Sequence, residues 1–219
     1  ARQARACLRA DTHRQAEGLG HARYEGGGGT MKWPEVSLAS VLDSLESGSR
    51  PRGGASDMSV GIPSIGGEHI NEQGGFNLSS IKYIPPEHYN LMATGHVKLL
   101  DILVVKDGAT TGKTAVVRKD FPFIESAVNE HVFIVRVNRL LVAPSFVFYF
   151  LFSPRGQAEI HKDHRGATIG GISRRFAQLT RIPLPPLSEQ RRIVEILDQA
   201  DALRKKRAEA DAKAARILP

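Results

Sequence analysis

The chain has 219 residues, 41% of them hydrophobic, enough for one medium-sized core with or without an appendage. Cys7 is its only cysteine, which excludes a disulfide framework and a cysteine-rich zinc site, and no apolar run approaches the roughly 18 residues of a membrane span. The formal charge of +7 is unevenly placed: residues 31–160 carry twelve basic and thirteen acidic groups, whereas 161–181 carry five basic groups against Asp163 alone.

Residues 1–30 show neither a helical nor a strand period and end in GGGGT, which predicts a disordered extension before a folded domain opening at Met31 with MKWPEVSL. VSLASVLDSLESG predicts a short strand and a first turn of helix ending at Gly48. GIPSIGGEHI is a short apolar run broken at Gly66 and Gly67, and IKYIPPEHYNLM predicts a strand, a stop at Pro85 and Pro86, and a short helix. In LLDILVVKDGATTGKTAVV two β-rich runs, Ile102–Val105 and Thr114–Val117, flank a connection rich in Gly and Thr. That is the pattern of a β-hairpin with a long loop. NEHVFIVRV alternates as another strand.

APSFVFYFLFSPRGQAEIHKDH then turns helical, with Phe146, Tyr149, Phe150, Phe152, Gln157 and Ile160 on one apolar stripe suited to core packing. KDHRGATIGGISRRF follows as a basic, glycine-rich loop, and LTRIPLPPL as a strand closing on Pro185 and Pro186. From Ser188 the chain lacks Gly and Pro as far as Leu218. Ser188 suits an N-cap and Glu189 the positive end of the helix dipole. Ile193, Leu197, Ala200 and Leu203, continued by Ala210, Ala214 and Ile217, make a thin apolar stripe. Such a stripe predicts pairing with another helix rather than burial on its own globule. The pattern is still running at Pro219, an expectation of chain that continues.

KDGATTGKT, Lys106–Thr114, has the glycines, lysine and threonine of a phosphate-cradling loop. The spacing opposes that reading. A phosphate loop needs its first glycine at position 107, where Asp107 stands, and Gly108 is one residue too close. A carboxylate there repels phosphate, and Val116 and Val117 are poor helix starters where a phosphate loop leads into a helix. Asp107 is expected to cap the turn at Gly108. The eight histidines contain no H-E-x-x-H pair, His161 and His164 lack a third ligand, and no G-x-S-x-G elbow occurs.

TRIPLPPLSEQRRIVEILDQADAL resembles the junction of a Type I restriction–modification specificity (S) subunit, where a recognition domain ends in a Pro-rich strand and enters a long helix. MKWPEVSL, PSIGGEHI, LLDILVVKDGATTGKTAVV, NEHVFIVRV and GATIGGISRRFAQLTRIPLPPL match in the same order, so the resemblance covers residues 31–219. It implies an α+β fold: a mixed, β-rich target recognition domain over 31–187 and a spacer or dimerisation helix of coiled-coil type over 188–219. It further implies a cytoplasmic DNA-reading subunit without chemistry or cofactor of its own. S-adenosylmethionine, ATP and Mg would belong to partner subunits. The implied partners are double-stranded DNA, modification methyltransferase subunits, a restriction subunit acting as translocase and nuclease, and a second S half paired through the helix. Only one recognition domain and one spacer helix are present, so the chain reads as a fragment, a truncated product or a half-subunit that dimerises.

Lys162, Arg165, Arg174, Arg175 and Arg181 can neutralise phosphates, which supplies affinity without sequence information. The glycine-rich loops offer Lys106, Thr110, Thr111 and Lys113, and Arg165, Thr168 and Arg174, as base readers, with Glu68 and His69 as weaker candidates. Two rival functions stay open. One is a helix-mediated assembly protein that does not touch DNA; the other is a nucleotide-binding enzyme using the 106–114 loop.

Overall fold

The computed structural model describes residues 33–54, 58–165 and 170–217. The expected disorder of 1–30 and the start at Met31 therefore lie outside the described residues, as does Thr168. In chain order the strands are β1 (Glu35–Ser37), β2 (Leu42–Ser47), β3 (Ile62–Ile65), β4 (Lys82–Ile84), β5 (Ile102–Val105), β6 (Thr114–Val116), β7 (Ala127–Val128), β8 (Val132–Val137) and β9 (Arg181–Pro183). The α-helices are α1 (Pro86–Leu91), α2 (Pro144–Phe152), α3 (Pro154–His161), α4 (Phe176–Leu179) and α5 (Leu187–Ile217). The expected α+β class is observed.

A four-stranded antiparallel sheet, β2-β8-β5-β6, forms the centre. Every residue of β5 is buried because side chains alternate across the sheet and both faces are covered. Ile102 and Val104 join Phe133, Val135, Phe146, Leu151 and Phe176 in the larger core. Leu103 and Val105 join Ile65, Ala115, Val132 and Ile134 in the second. The hairpin expected from the sequence is present, with Leu103 opposite Ala115. A second sheet, β4-β3-β7, carries a parallel β3–β7 pairing that has no signature in the sequence.

Three local expectations are corrected. Leu38–Val41 is a 3-10 turn and Leu42–Ser47 is a strand, not helix. Leu42 and Leu45 have helical spacing, but pairing along β8 with a register shift between Leu42 and Ser44 decides the conformation. The stripe over 146–160 is two helices, because Pro154 cannot continue α2 and instead opens α3, with Ser153 Oγ accepting from Gly156 N at 3.1 Å. Ser188, expected as an N-cap, lies inside the first turn of α5, which starts at Leu187.

β1 pairs with β9, so the two ends of the globule meet where α5 departs. The root of α5 is held by Gln190, fully buried, whose Oε1 accepts from Ala143 N at 2.8 Å while Nε2 donates to Pro185 O at 2.8 Å. Ile193 and Val194 pack against the larger core. The expectation that the whole stripe faces a partner is thus corrected at Ile193, which serves the globule itself. Leu197 is half-buried, and Ala200, Leu203, Ala210 and Ala214 are exposed. Nothing is described for the side chain of Ile217.

Candidate nucleic-acid interface

The two glycine-rich segments, whose bonded residues are some sixty positions apart in sequence, are held together. Ile172 N donates to Lys106 O at 2.6 Å, Gly108 N to Gly170 O at 3.2 Å, and Asp107 stands opposite Gly171 in an antiparallel bridge. Thr111 Oγ1 donates to Gly108 O at 2.7 Å and also reaches Gly170 O at 3.4 Å. A side chain at Gly171 would put its Cβ 2.8 Å from Lys106 O, so the close approach requires glycine. Gly108 and Gly112 take positive φ of 86° and 89°, which lets the hairpin loop turn back on itself.

Asp163 organises the basic segment. Its Oδ2 accepts from Ser173 N at 2.7 Å and Ser173 Oγ at 2.6 Å, and its Oδ1 faces Arg165 Nη2 at 3.3 Å. Burial alone would raise this carboxyl, but the two bonds from Ser173 and the nearby Arg165 and Arg175 hold it below the usual carboxylate range. Paired amide bonds between Arg165 and Gly171, at 2.9 and 3.0 Å, close the stem of the loop. In the sequence, Asp163 stood out only as the one acid in a basic stretch.

Beside this junction the cations follow the β2–β8 ladder. Lys106 Nζ lies 5.6 Å from the centroid of the Phe133 ring, and the Arg174 guanidinium donates to Leu45 O. Arg175 is exposed, its amide donating to Ser173 Oγ at 3.2 Å and its carbonyl accepting from Gln178 N and Leu179 N at 2.9 and 3.0 Å. Arg50, just past β2, reaches Glu130 just before β8 at 3.0 Å. Its place here was not legible in the sequence, where it sits in an unpatterned loop.

Other candidates are placed elsewhere. Lys113 Nζ pairs with Glu72 at 2.6 Å, joining the hairpin loop to the 71–75 turn. Thr110 is half-buried near Gly67. Lys162 pairs with Glu159 at 2.5 Å at the end of α3. Arg181 belongs to β9 and donates to Glu35 O at 2.7 Å, so it ties β1 to β9. His69 is corrected outright as a base reader: it is fully buried, with Nδ1 accepting from Gly66 N at 2.8 Å and Nε2 3.2 Å from Ser80 O. Glu68 pairs with Lys82 at 3.0 Å. Asp107 does not cap Gly108; its Oδ1 lies 2.6 Å from His131 Nδ1.

The loop cannot cradle phosphate as a nucleotide site does, since it runs from strand to strand and its amides at 108, 111, 112 and 113 are bonded to backbone carbonyls. Among the described residues no group of three or more His, Cys, Asp or Glu side chains is arranged to hold a metal. No described helix is long and apolar enough to cross a membrane.

Among curated proteins the chain has no match. Solved structures with a similar fold include three from Type I restriction–modification systems. A chain from a study of complex assembly and conformational transition of the type I R-M system has a TM-score of 0.59 and 23% identity, over 99% of this chain and 52% of that one. The HsdS subunit from Thermoanaerobacter tengcongensis gives 0.58 and 22%, over 87% and 49%. The Type-I restriction-modification S subunit from M. genitalium gives 0.53 and 16%, over 90% and 45%. The chain thus spans about half the length of the solved chains it matches. Residues 31–211 match the model of the Type I restriction modification DNA specificity domain, and the chain belongs to that family.

Proposed function

We propose that this chain is a non-catalytic DNA-specificity module that reads one half of a bipartite site for a Type I restriction–modification complex. The observation that carries the reading is the bonding of loop 106–113 to segment 170–172, which gathers Lys106, Arg165, Arg174 and Arg175 around one junction. Cations at the tips of glycine-rich loops supply phosphate contacts, and the loops between them can approach base edges. The match to solved relatives over 99% and 87% of this chain supports reading residues 31–217 as one recognition unit with its helix. The second half-site would be read by another unit joined through α5. Methylation and cleavage would be carried out by partner subunits holding S-adenosylmethionine, ATP and Mg.

Duplex binding by fluorescence anisotropy across a salt series tests this. Affinity should fall linearly with salt on a log–log plot. No binding to any duplex at low salt would refute it. That outcome would favour the second reading, a helix-mediated assembly role, which draws support from the exposed Ile196 and Leu203 on α5.

A further inference from the structure

We propose that Asp107 is a base-reading residue that accepts a hydrogen bond from an exocyclic amino group, cytosine N4 or adenine N6, and that His131 is its positioning residue. The inference rests on the DNA-binding reading above.

Asp107 sits where the junction is most tightly fixed. On one side Lys106 N donates to His131 O at 2.9 Å and Lys106 O accepts from Ile172 N at 2.6 Å; on the other Gly108 N donates to Gly170 O at 3.2 Å. Across from it, a Cβ on Gly171 would stand 2.9 Å from Asp107 Cβ. The side chain is aimed as firmly as the backbone. His131 Nδ1 holds Oδ1 at 2.6 Å, and His131 Nε2 is steadied by Glu130 Oε1 at 3.3 Å, which in turn takes Arg50 Nε at 3.0 Å. Three loops therefore converge on one carboxylate whose side chain remains 32% exposed.

Electrostatics narrows what that carboxylate can do. Lys106, Arg165, Arg174 and Arg175 surround the junction, yet among the described residues no lysine or arginine pairs with Asp107; Lys106 lies over Phe133 instead. An acid whose task was to neutralise the basic loops would take one of them. On a duplex it repels phosphate, so it adds nothing to backbone affinity. The partners left to it are donors on base edges, which in the major groove are cytosine N4 and adenine N6. Side chains fixed by packing and hydrogen bonds on rigid elements read with the least loss of geometry.

The full chain, as wild type, Asp107→Asn, His131→Ala and His131→Asn, would be used to select from a randomised duplex library, with bound sequences counted and melting temperatures recorded. Wild type should enrich cytosine or adenine at one position, which also says which amino group is read. Asp107→Asn should lose roughly tenfold of that enrichment, the scale of one good base contact. It should keep its melting temperature and still bind the unselected library. His131→Ala should weaken the same position, and His131→Asn, with an amide donor in place of Nδ1, should restore it. An unchanged base preference in Asp107→Asn overturns the proposal while leaving DNA binding intact. So does a wild type that binds without base preference, or a loss spread over all positions with a lowered melting temperature. Failure of the wild type to bind duplex at all refutes the underlying DNA reading and this proposal with it.

Discussion

Arg118 Nη1 meets Asp198 Oδ1 at 3.0 Å across 80 residues of chain, joining the segment just past β6 to the fourth turn of α5. Tyr149 completes the contact, donating its hydroxyl to Asp198 at 2.6 Å and accepting from Arg118 at 3.2 Å. The Arg118 guanidinium also lies 5.6 Å from the Phe148 ring centroid and 5.7 Å from that of Tyr149. From Gln199 to Ala215 the residues of α5 are exposed apart from Asp201, so the clamp sets the direction in which the helix leaves.

Burial and the bond to Asp198 push the Tyr149 phenol up to about 12, while an unfolded tyrosine titrates near about 10. The folded state therefore holds the proton more tightly between those values. Its contribution is fully present below about pH 10 and is lost as the pH rises through about 12. Urea unfolding of wild type and Tyr149→Phe across this window should show a steeper loss in wild type. Parallel curves would mean that Tyr149 is not shifted.

Arg136 is the second clamp, bonded to Asp101 at 2.7 and 2.8 Å and to Glu46 at 2.5 Å. Its hydrogen bonds to Asp101 hold the guanidinium above its usual value, and burial pushes the Asp101 carboxyl up against that pull. Asp101 is almost fully buried, so Arg136→Met leaves a carboxyl stranded beneath the sheet. A loss of about 3 kcal/mol is expected, since breaking one side of a buried pair costs more than the pair contributes. Adding Asp101→Asn should recover part of it, and a double variant as unstable as Arg136→Met would contradict this account.

Arg174→Ala with Arg175→Ala should weaken duplex binding about equally for all sequences and lower the salt slope by about two, near one unit for each phosphate no longer neutralised. Arg174 also bonds Leu45 O, so circular dichroism melting should accompany the titration. An unchanged slope with an intact fold would remove these two residues from the interface.

Leu203 is 67% exposed on α5, on the same thin stripe as Ala210 and Ala214. Leu203→Glu should abolish helix-mediated association, read by analytical ultracentrifugation or by co-purification with a methyltransferase subunit. The melting temperature of the globule should stay within experimental scatter, because Leu203 touches none of its cores. Full association in Leu203→Glu would move the docking surface off this stripe.

Local patterns were readable wherever neighbours in sequence are also neighbours in space. The hairpin Ile102–Val105 with Thr114–Val116, the stop at Pro85 and Pro86, and the long helix beyond Pro186 follow from turn chemistry, proline geometry and the lack of helix breakers. Leu42–Ser47 misled because two leucines at helical spacing say nothing of the strand waiting to pair with them. His69 misled because a histidine beside two glycines looks exposed until Gly66 N and Ser80 O are seen to enclose it.

The sequence by itself determined the class of fold, the family resemblance and the location of the positive charge, since these rest on composition and local order. Only the tertiary structure decided that Lys106 and Ile172 share a hydrogen bond, that His131 turns Asp107 away from its own loop, and that Ile193 belongs to the core. Each is a contact between segments far apart in sequence. Its free energy appears only once the sheet has brought the loops together, and no local pattern encodes it.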